Sequence, residues 1–274
     1  MSVIEIKVTL EDLAARATGG DRTALEMVCR ALQGPVYRLA LRMLGAVQDA
    51  EDATQEILVV IATHLSQFRG NSKLTTWAYT IASRYLLGVR SSRHEERALP
   101  VDELARLIDA GLAATTASSL PEGDVAVLAR DVQRTCSQAM LLTLSREERQ
   151  AVVLVEMLGA SDAQGAEICE VREDAFRQRL SRGRAKLGPI LEERCGMVQA
   201  GAPCACTRQA AAKQRAGIKL PIYRDPVATE RANQELGSLS RLRGLFAIEP
   251  PPAPQRDLWS AVVAQCPDLL GAGA

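Results

Sequence analysis

Three groups of side chains in this chain have types and spacings suited to binding chemistry. The first lies between Asp49 and Arg93. Asp49, Glu51, Asp52 and Glu56 crowd one short window, and from Ile57 to His94 no carboxylate occurs while Arg69, Lys73, Arg84, Arg90 and Arg93 accumulate. Phe68, Trp77, Tyr79 and Tyr85 fall in the same carboxylate-free run. An acidic surface followed by cations interleaved with aromatics suits a protein that holds a protein partner with one face and unstacked bases with the next. The second group runs from Ala175 to Leu191, where Arg177, Arg179, Arg182, Arg184 and Lys186 occur without an acid. The third is Cys195, Cys204 and Cys206. Two thiolates one residue apart can reach one ion if the backbone turns, and Cys195 can close the site across Gly201-Ala-Pro203. Cys169, Cys266 or a water is then the candidate fourth ligand, for zinc or a softer ion. Free thiols in a turn explain the same spacing equally well.

Composition narrows the class of protein that must position these groups. A chain of 274 residues should hold two domains or three, with enough apolar side chains for small cores. Its formal net charge of zero excludes a globally basic coat, so any nucleic-acid contact must come from local patches. Aromatics make up only 3% of residues, and with abundant Ala, Leu and Arg this favours helix over sheet. No apolar run approaches membrane-spanning length, and Met1 to Leu10 lacks the pattern of a secretory signal. Seven irregularly spaced cysteines therefore read as reduced thiols or metal ligands in a cytoplasmic protein. The expectation is an all-α protein.

The elements follow from periodicity. Asp21 caps a helix bearing Leu25, Val28 and Leu32, interrupted at Gly34-Pro35 and resuming through Val36, Leu39, Ala40 and Met43 to Gly45. A helix from about residue 48 to 67 carries Ala53, Ile57, Ile61 and Leu65 on one face and Asp49, Asp52 and Glu56 on another. Phe68 to Lys73 is a loop, and a helix runs from about Thr75 to Arg93. Linker chemistry fills 96–123, with a short helix over Val101 to Ile108. Ser145 and Glu148 form a capping box before the apolar run Ala151 to Leu158, which Gly159 ends. Ser161 and Gln164 open another short helix, and a tight turn leads into a helix from Asp174 with Phe176, Leu180, Leu187 and Leu191 on one face. A short helix, a turn and a basic amphipathic helix make the pattern of helix-turn-helix DNA recognition.

At two places the residues become familiar. Asp49-Ala-Glu-Asp-Ala-Thr-Gln-Glu56, Phe68-Arg-Gly and Thr75-Thr-Trp-Ala-Tyr-Thr-Ile-Ala82 resemble the second conserved region of sigma-70-family initiation factors, most of all the extracytoplasmic-function group. Ala166-Glu-Ile-Cys-Glu-Val171 and Ala175-Phe-Arg-Gln-Arg-Leu-Ser-Arg-Gly-Arg-Ala-Lys-Leu187 resemble the fourth. The resemblance implies two small helical domains, region 2 over 10–95 and region 4 over 124–194, joined by a flexible linker over 96–123. Residues 195–274 form a helical C-terminal extension beyond the minimal pattern, resembling a regulatory module. The resemblance implies that Asp49, Asp52, Gln55 and Glu56 face a coiled-coil helix pair in the polymerase's largest subunit. It implies that Arg69, Asn71, Lys73, Trp77, Tyr79, Arg84, Arg90 and Arg93 serve the melted minus-ten element.

In the fourth region, Arg172, Gln178 and Arg179 are the candidates for base readout at the minus-thirty-five element. Arg177, Arg182, Arg184 and Lys186 are the candidates for phosphate contacts. Gly183 stands where the family more often has Ala and lowers helix propensity by about 1 kcal/mol. The expected partners are core RNA polymerase, promoter DNA and, as a candidate, an anti-sigma factor, with no membrane. No cofactor is required for such a role. The alternative is a sigma-like regulator that binds polymerase or DNA without supporting initiation. An enzymatic reading through the cysteines lacks a legible base, since neither His64 nor His94 neighbours them in sequence.

Overall fold

The computed structural model describes residues 8–90, 93–96, 98–113, 122–215, 254 and 257–265. Helices span Leu10–Thr18 (α1), Arg22–Leu44 (α2), Val47–His64 (α3), Leu74–Gly88 (α4), Arg93–Glu96 (α5), Val101–Ala113 (α6) and Glu122–Leu142 (α7). They continue as Arg146–Val152 (α8), Asp162–Cys169 (α9), Glu173–Arg194 (α10), Cys206–Arg215 (α11) and Leu258–Gln265 (α12). Among the described residues there is no strand beyond an isolated bridge between Cys195 and Cys204. The all-α expectation is correct.

The chain divides into two compact units. One takes Met1–Arg90, Ala166–Val171 and Ala253–Ala274; the other takes Ser91–Gly165 and Arg172–Pro252. In the first, α2, α3 and α4 pack together with α1 beside α2. Asp21 caps α2 by accepting the Ala24 N–H at 3.0 Å, and Gly45, at φ 81°, donates its N–H to Leu41 O and stops it. The expected interruption at Gly34-Pro35 does not occur: α2 passes through Pro35 unbroken. A mid-helix proline costs about 3 kcal/mol locally. Leu32, Val36 and Leu39 are all fully buried, and side chains of that size contribute about 1.5–3 kcal/mol each on burial, so tertiary packing wins. The helix expected to reach Arg93 instead ends at Gly88, where Val89 turns extended at ψ 149°. In α12, Leu258, Trp259 and Val262 are buried, and the helix packs on α2 and α3.

In the second unit, α7 packs on α11, α8 on α10, and α6 on α10 and α11. Both capping boxes are present. Glu148 N–H donates to Ser145 Oγ at 3.3 Å and Ser145 N–H to Glu148 Oε2 at 3.1 Å; Gln164 and Ser161 repeat the exchange at 3.2 and 3.0 Å. The apolar run is α8 followed by a π turn over Val153–Met157, buried as the sequence demands, and Gly159 closes it at φ 69°. The 96–123 linker needs correction. Its helix extends to Ala113 and buries Leu104, Ala105 and Ile108, with Gln209 of α11 donating to Ile108 O at 2.9 Å. Arg194 at the end of α10 reaches Asp109 at 3.0 Å. An amphipathic helix with an apolar face must cover that face, so this stretch belongs to the second unit's core. Glu95, which the sequence put at the edge of region 2, also belongs here: it accepts from Arg146 at 2.6 Å and from Arg149, 3% exposed, at 2.7 Å. The helix expected from Asp225 through Phe246, the basic residues Lys219 and Arg224, and the Pro250–Pro254 spacer lie outside the described residues except Pro254.

Two glycines of this unit are required by close approach. A Cβ on Gly165 of α9 would fall 2.1 Å from Phe176 Cζ, and Phe176 is fully buried. A Cβ on Gly183 of α10 would fall 2.7 Å from Val152 Cγ2 of α8. Gly183 is therefore a packing residue, and its low helix propensity is outweighed by the contact it permits.

Candidate protein and nucleic-acid interfaces

On α3 the packing residues Ala53, Ile57 and Ile61 turn inward, leaving Asp52 and Glu56 exposed and Asp49 and Gln55 half-buried. Glu51, between them, is buried at 3% exposure and belongs to the packed face. Asp52 and Glu56 share a surface with Tyr85 of α4, whose phenol is pushed up first by its own burial and then by these two carboxylates. The expected acidic set is thus one patch, bordered by an aromatic ring that sequence reasoning did not assign to it.

The loop before α4 presents Arg69, Asn71 and Lys73, all exposed, with Gly70 at φ 72° making the turn. Phe68 and Trp77 pack ring against ring, centroids 5.7 Å apart and planes tilted 56°, which ties the loop to the first turn of α4. Trp77, Thr80, Ile81, Arg84, Tyr85 and Gly88 follow one face of α4 and line a cleft of about 670 Å³ with Val60, His64 and Gln67 of α3 and its following 3-10 turn. Trp77 is half-buried, so it both packs and borders the cleft. Arg84 reaches into the same cleft and pairs with Glu170 at 2.6 Å, which raises its pKa. Tyr79 does not belong with them. Two residues on from Trp77 it points away from that face, and its phenol is raised by burial and opposed by Arg38 of α2. Arg90 is exposed at the end of the unit; Arg93 falls in α5, in the second unit.

In the helix-turn-helix segment, Glu170 at φ 53° makes the turn after α9, and α10 starts at Glu173 with Arg172 extended before it. Phe176, Leu180, Leu187 and Leu191 are buried, so the amphipathic face expected from sequence is correct. The basic side chains divide into two classes. Lys186 donates to Glu148 at 2.6 Å and Arg184 to the buried carboxylate of Glu156, both on the elements that back α10. Arg177 pairs with Glu173 and Arg172 with Asp174, each at 2.9 Å and in the open. Gln178 and Arg182 are exposed and Arg179 half-exposed, and neither Arg179 nor Arg182 has an ion pair within 4 Å among the described residues. Arg184 and Lys186, expected at phosphates, are therefore held by acids on α8 and the π turn, and must exchange those partners to reach DNA. Glu148 and Glu156 were missed because one reads as a capping residue and the other as a stray acid in an apolar run.

Cys195 caps the end of α10, Cys204 bridges to it, and Cys206 opens α11, but among the described residues no three such side chains are placed to hold one metal ion. Cys169 belongs to the other unit and Cys266 lies outside the described residues. Cys136 of α7, which the sequence did not single out, has its thiol pushed up to about 12, first by burial and then by the charges of Cys206, Cys195 and Cys204.

Two family matches agree with this architecture. The family profile Sigma-70 region 2 matches residues 28–93, and the profile Sigma-70, region 4 matches 134–187. ECF RNA polymerase sigma factor SigM of Mycobacterium tuberculosis is 27% identical over 180 residues, covering 66% of this chain and 83% of that protein. ECF RNA polymerase sigma factor SigW of Bacillus subtilis is 27% identical over 181 residues, covering 64% and 92%. The solved structure of CnrH in complex with the cytosolic domain of CnrY aligns with 66% of this chain and 95% of that one, at 23% identity and a TM-score of 0.41.

Proposed function

The chain belongs to the extracytoplasmic-function group of the sigma-70 family, and from that membership we propose that it binds core RNA polymerase, carries it to a subset of promoters and helps open the minus-ten region. It carries out no bond chemistry and acts in the cytoplasm; among the described residues no helix is long and apolar enough to cross a membrane. The observation that carries the reading is the order of the two matched regions together with their surfaces. An exposed acid patch and an aromatic-lined cleft occupy the first, and a helix with exposed Arg182 and half-exposed Arg179 occupies the second.

The residue roles follow from physical fit. Asp49, Asp52, Gln55 and Glu56 offer carboxylates and an amide to a polymerase surface. An opened strand must be compensated for lost stacking, and each base stacked on a ring contributes about 1–3 kcal/mol. Trp77, bordering the cleft, and the loop cations Arg69 and Lys73 supply a ring face and phosphate ligands there, while Arg84 does so on releasing Glu170. At the minus-thirty-five element, Arg172, Gln178 and Arg179 at the start of α10 reach base edges, and Arg177 and Arg182 bind backbone. An anti-sigma factor that silences the protein would compete for these same surfaces. Run-off transcription with purified core polymerase tests the reading. A specific transcript supports it; promoter binding without a transcript returns the protein to the class of regulators that do not initiate.

A further inference from the structure

One helix of the C-terminal extension belongs to the first unit, where it packs on α3 and α2. This helix, α12, buries Leu258, Trp259 and Val262, and even the large Trp259 ring is only 3% exposed. Asp257 caps it, accepting from Ser260 N–H at 3.3 Å and from Ser260 Oγ at 2.8 Å. The same carboxylate accepts from Arg30 of α2 at 3.4 Å, an exposed pair of small worth, so the three apolar side chains carry the docking. A helix of eight residues is marginal in water by itself, and it stays folded here because α2 and α3 cover its apolar face. On α3 two edges differ. Val60 and His64 line the cleft with α4, and Asp52 and Glu56 lie beside Tyr85. On the opposite edge Glu51, Leu58 and Ala62 are buried and Gln55 is half-buried, four residues that fall on one helical stripe.

We propose that α12 is a displaceable clasp, docked along the Glu51–Ala62 stripe of α3, which core polymerase must release in order to assemble with this protein. The inference rests on the reading that Asp49, Asp52, Gln55 and Glu56 face the polymerase. Gln55 joins that set to the stripe, so a partner that takes the whole set also claims the edge where α12 lies. Asp52 and Glu56 stay exposed beside the clasp, and an encounter begins on these open acids before α12 leaves. Attachment through residues 216–257 keeps the helix at high effective concentration, so a contact of three anchors persists within the chain although it is too small to hold a separate peptide. The fraction of molecules with the stripe uncovered then sets how strongly the protein competes for polymerase.

The test is hydrogen exchange of the full-length protein, read by mass spectrometry with and without core polymerase, alongside measured affinities for core. The expected result is that α12 amides are protected in the free protein and exchange fast in the complex, while those of α3 stay protected. Trp259→Ala should free α12 without polymerase and tighten core binding by on the order of 10-fold, because apparent affinity scales with the fraction of molecules whose surface is open. Asp257→Ala removes the exposed cap and should act in the same direction by less; it keeps the test sound if Trp259→Ala folds poorly. Unprotected α12 amides in the free wild-type protein would overturn the clasp without any reference to polymerase. An α12 that stays protected in the complex, or variants that free it without gaining affinity, would overturn the proposal and leave the polymerase reading standing. If neither wild type nor variants bind core polymerase, that reading fails and the clasp falls with it.

Discussion

Replacing Gly165 with Ala should destabilise the second unit although it improves the helix. In an isolated helix the change gains about 1 kcal/mol. Here the added methyl would meet Phe176 Cζ, Cε1 and Cε2 at 2.1, 2.5 and 2.7 Å, where carbon atoms pack best at about 3.5–4.0 Å. The ring must retreat by more than an ångström from a site where it is fully buried. Overpacking of this kind costs about 1–3 kcal/mol, and three simultaneous overlaps against an enclosed ring place it near 3. The net loss is therefore about 2 kcal/mol, or a Tm drop of about 4–8 °C for a unit of roughly 150 residues. Urea unfolding followed by far-UV circular dichroism measures it. Phe176→Leu supplies the second arm of a cycle, because removing the ring edge should let Gly165→Ala recover its helical advantage, with a coupling of about 2–3 kcal/mol. A Gly165→Ala protein as stable as wild type, or additive single and double variants, would show that the close approach does not constrain α9.

Other predictions concern the surfaces. Asp52→Ala with Glu56→Ala should weaken binding to core polymerase while helicity and Tm hold, since both side chains are exposed; unchanged affinity in a pull-down removes the acid patch from the assembly surface. Arg179→Ala should cost about 1–3 kcal/mol on the preferred minus-thirty-five sequence alone. Arg182→Ala should weaken all sequences alike and lower the salt slope by about one phosphate contact, and uniform losses from both across a randomised promoter library would refute the division. Burial alone would raise the Glu148 carboxyl, yet the Lys186 ammonium, the Ser145 N–H and Arg182 together hold it below its ordinary 4.5. Its folded pKa is depressed, so its contribution is complete above that ordinary value and lost as pH falls through the folded one. Urea midpoints should drop on acidification more in wild type than in Glu148→Gln, and parallel curves would mean the pair with Lys186 contributes nothing.

Charge order and helical period alone settled much of this protein. The acid window, the carboxylate-free run after it, both capping boxes and the amphipathic face of α10 were legible because each depends on residues within two or three turns of one another. What the tertiary structure decided depends on partners distant in sequence. Pro35 reads as a breaker until the burial of Leu32 and Val36 outweighs it. That Arg184 and Lys186 meet Glu156 and Glu148 is invisible until α8 and its π turn close on α10, and that Tyr79 lies off the cleft-lining face until α4 is placed against α2. Residues 101–113 read as part of a tether until α10 and α11 cover their apolar face. Cys136 carries no local signal at all, because only the packing of α11 on α7 encloses it. A one-dimensional pattern records which face of a helix is apolar or charged; it does not record which element will close against that face, and the pairing of buried charges is fixed by that closure.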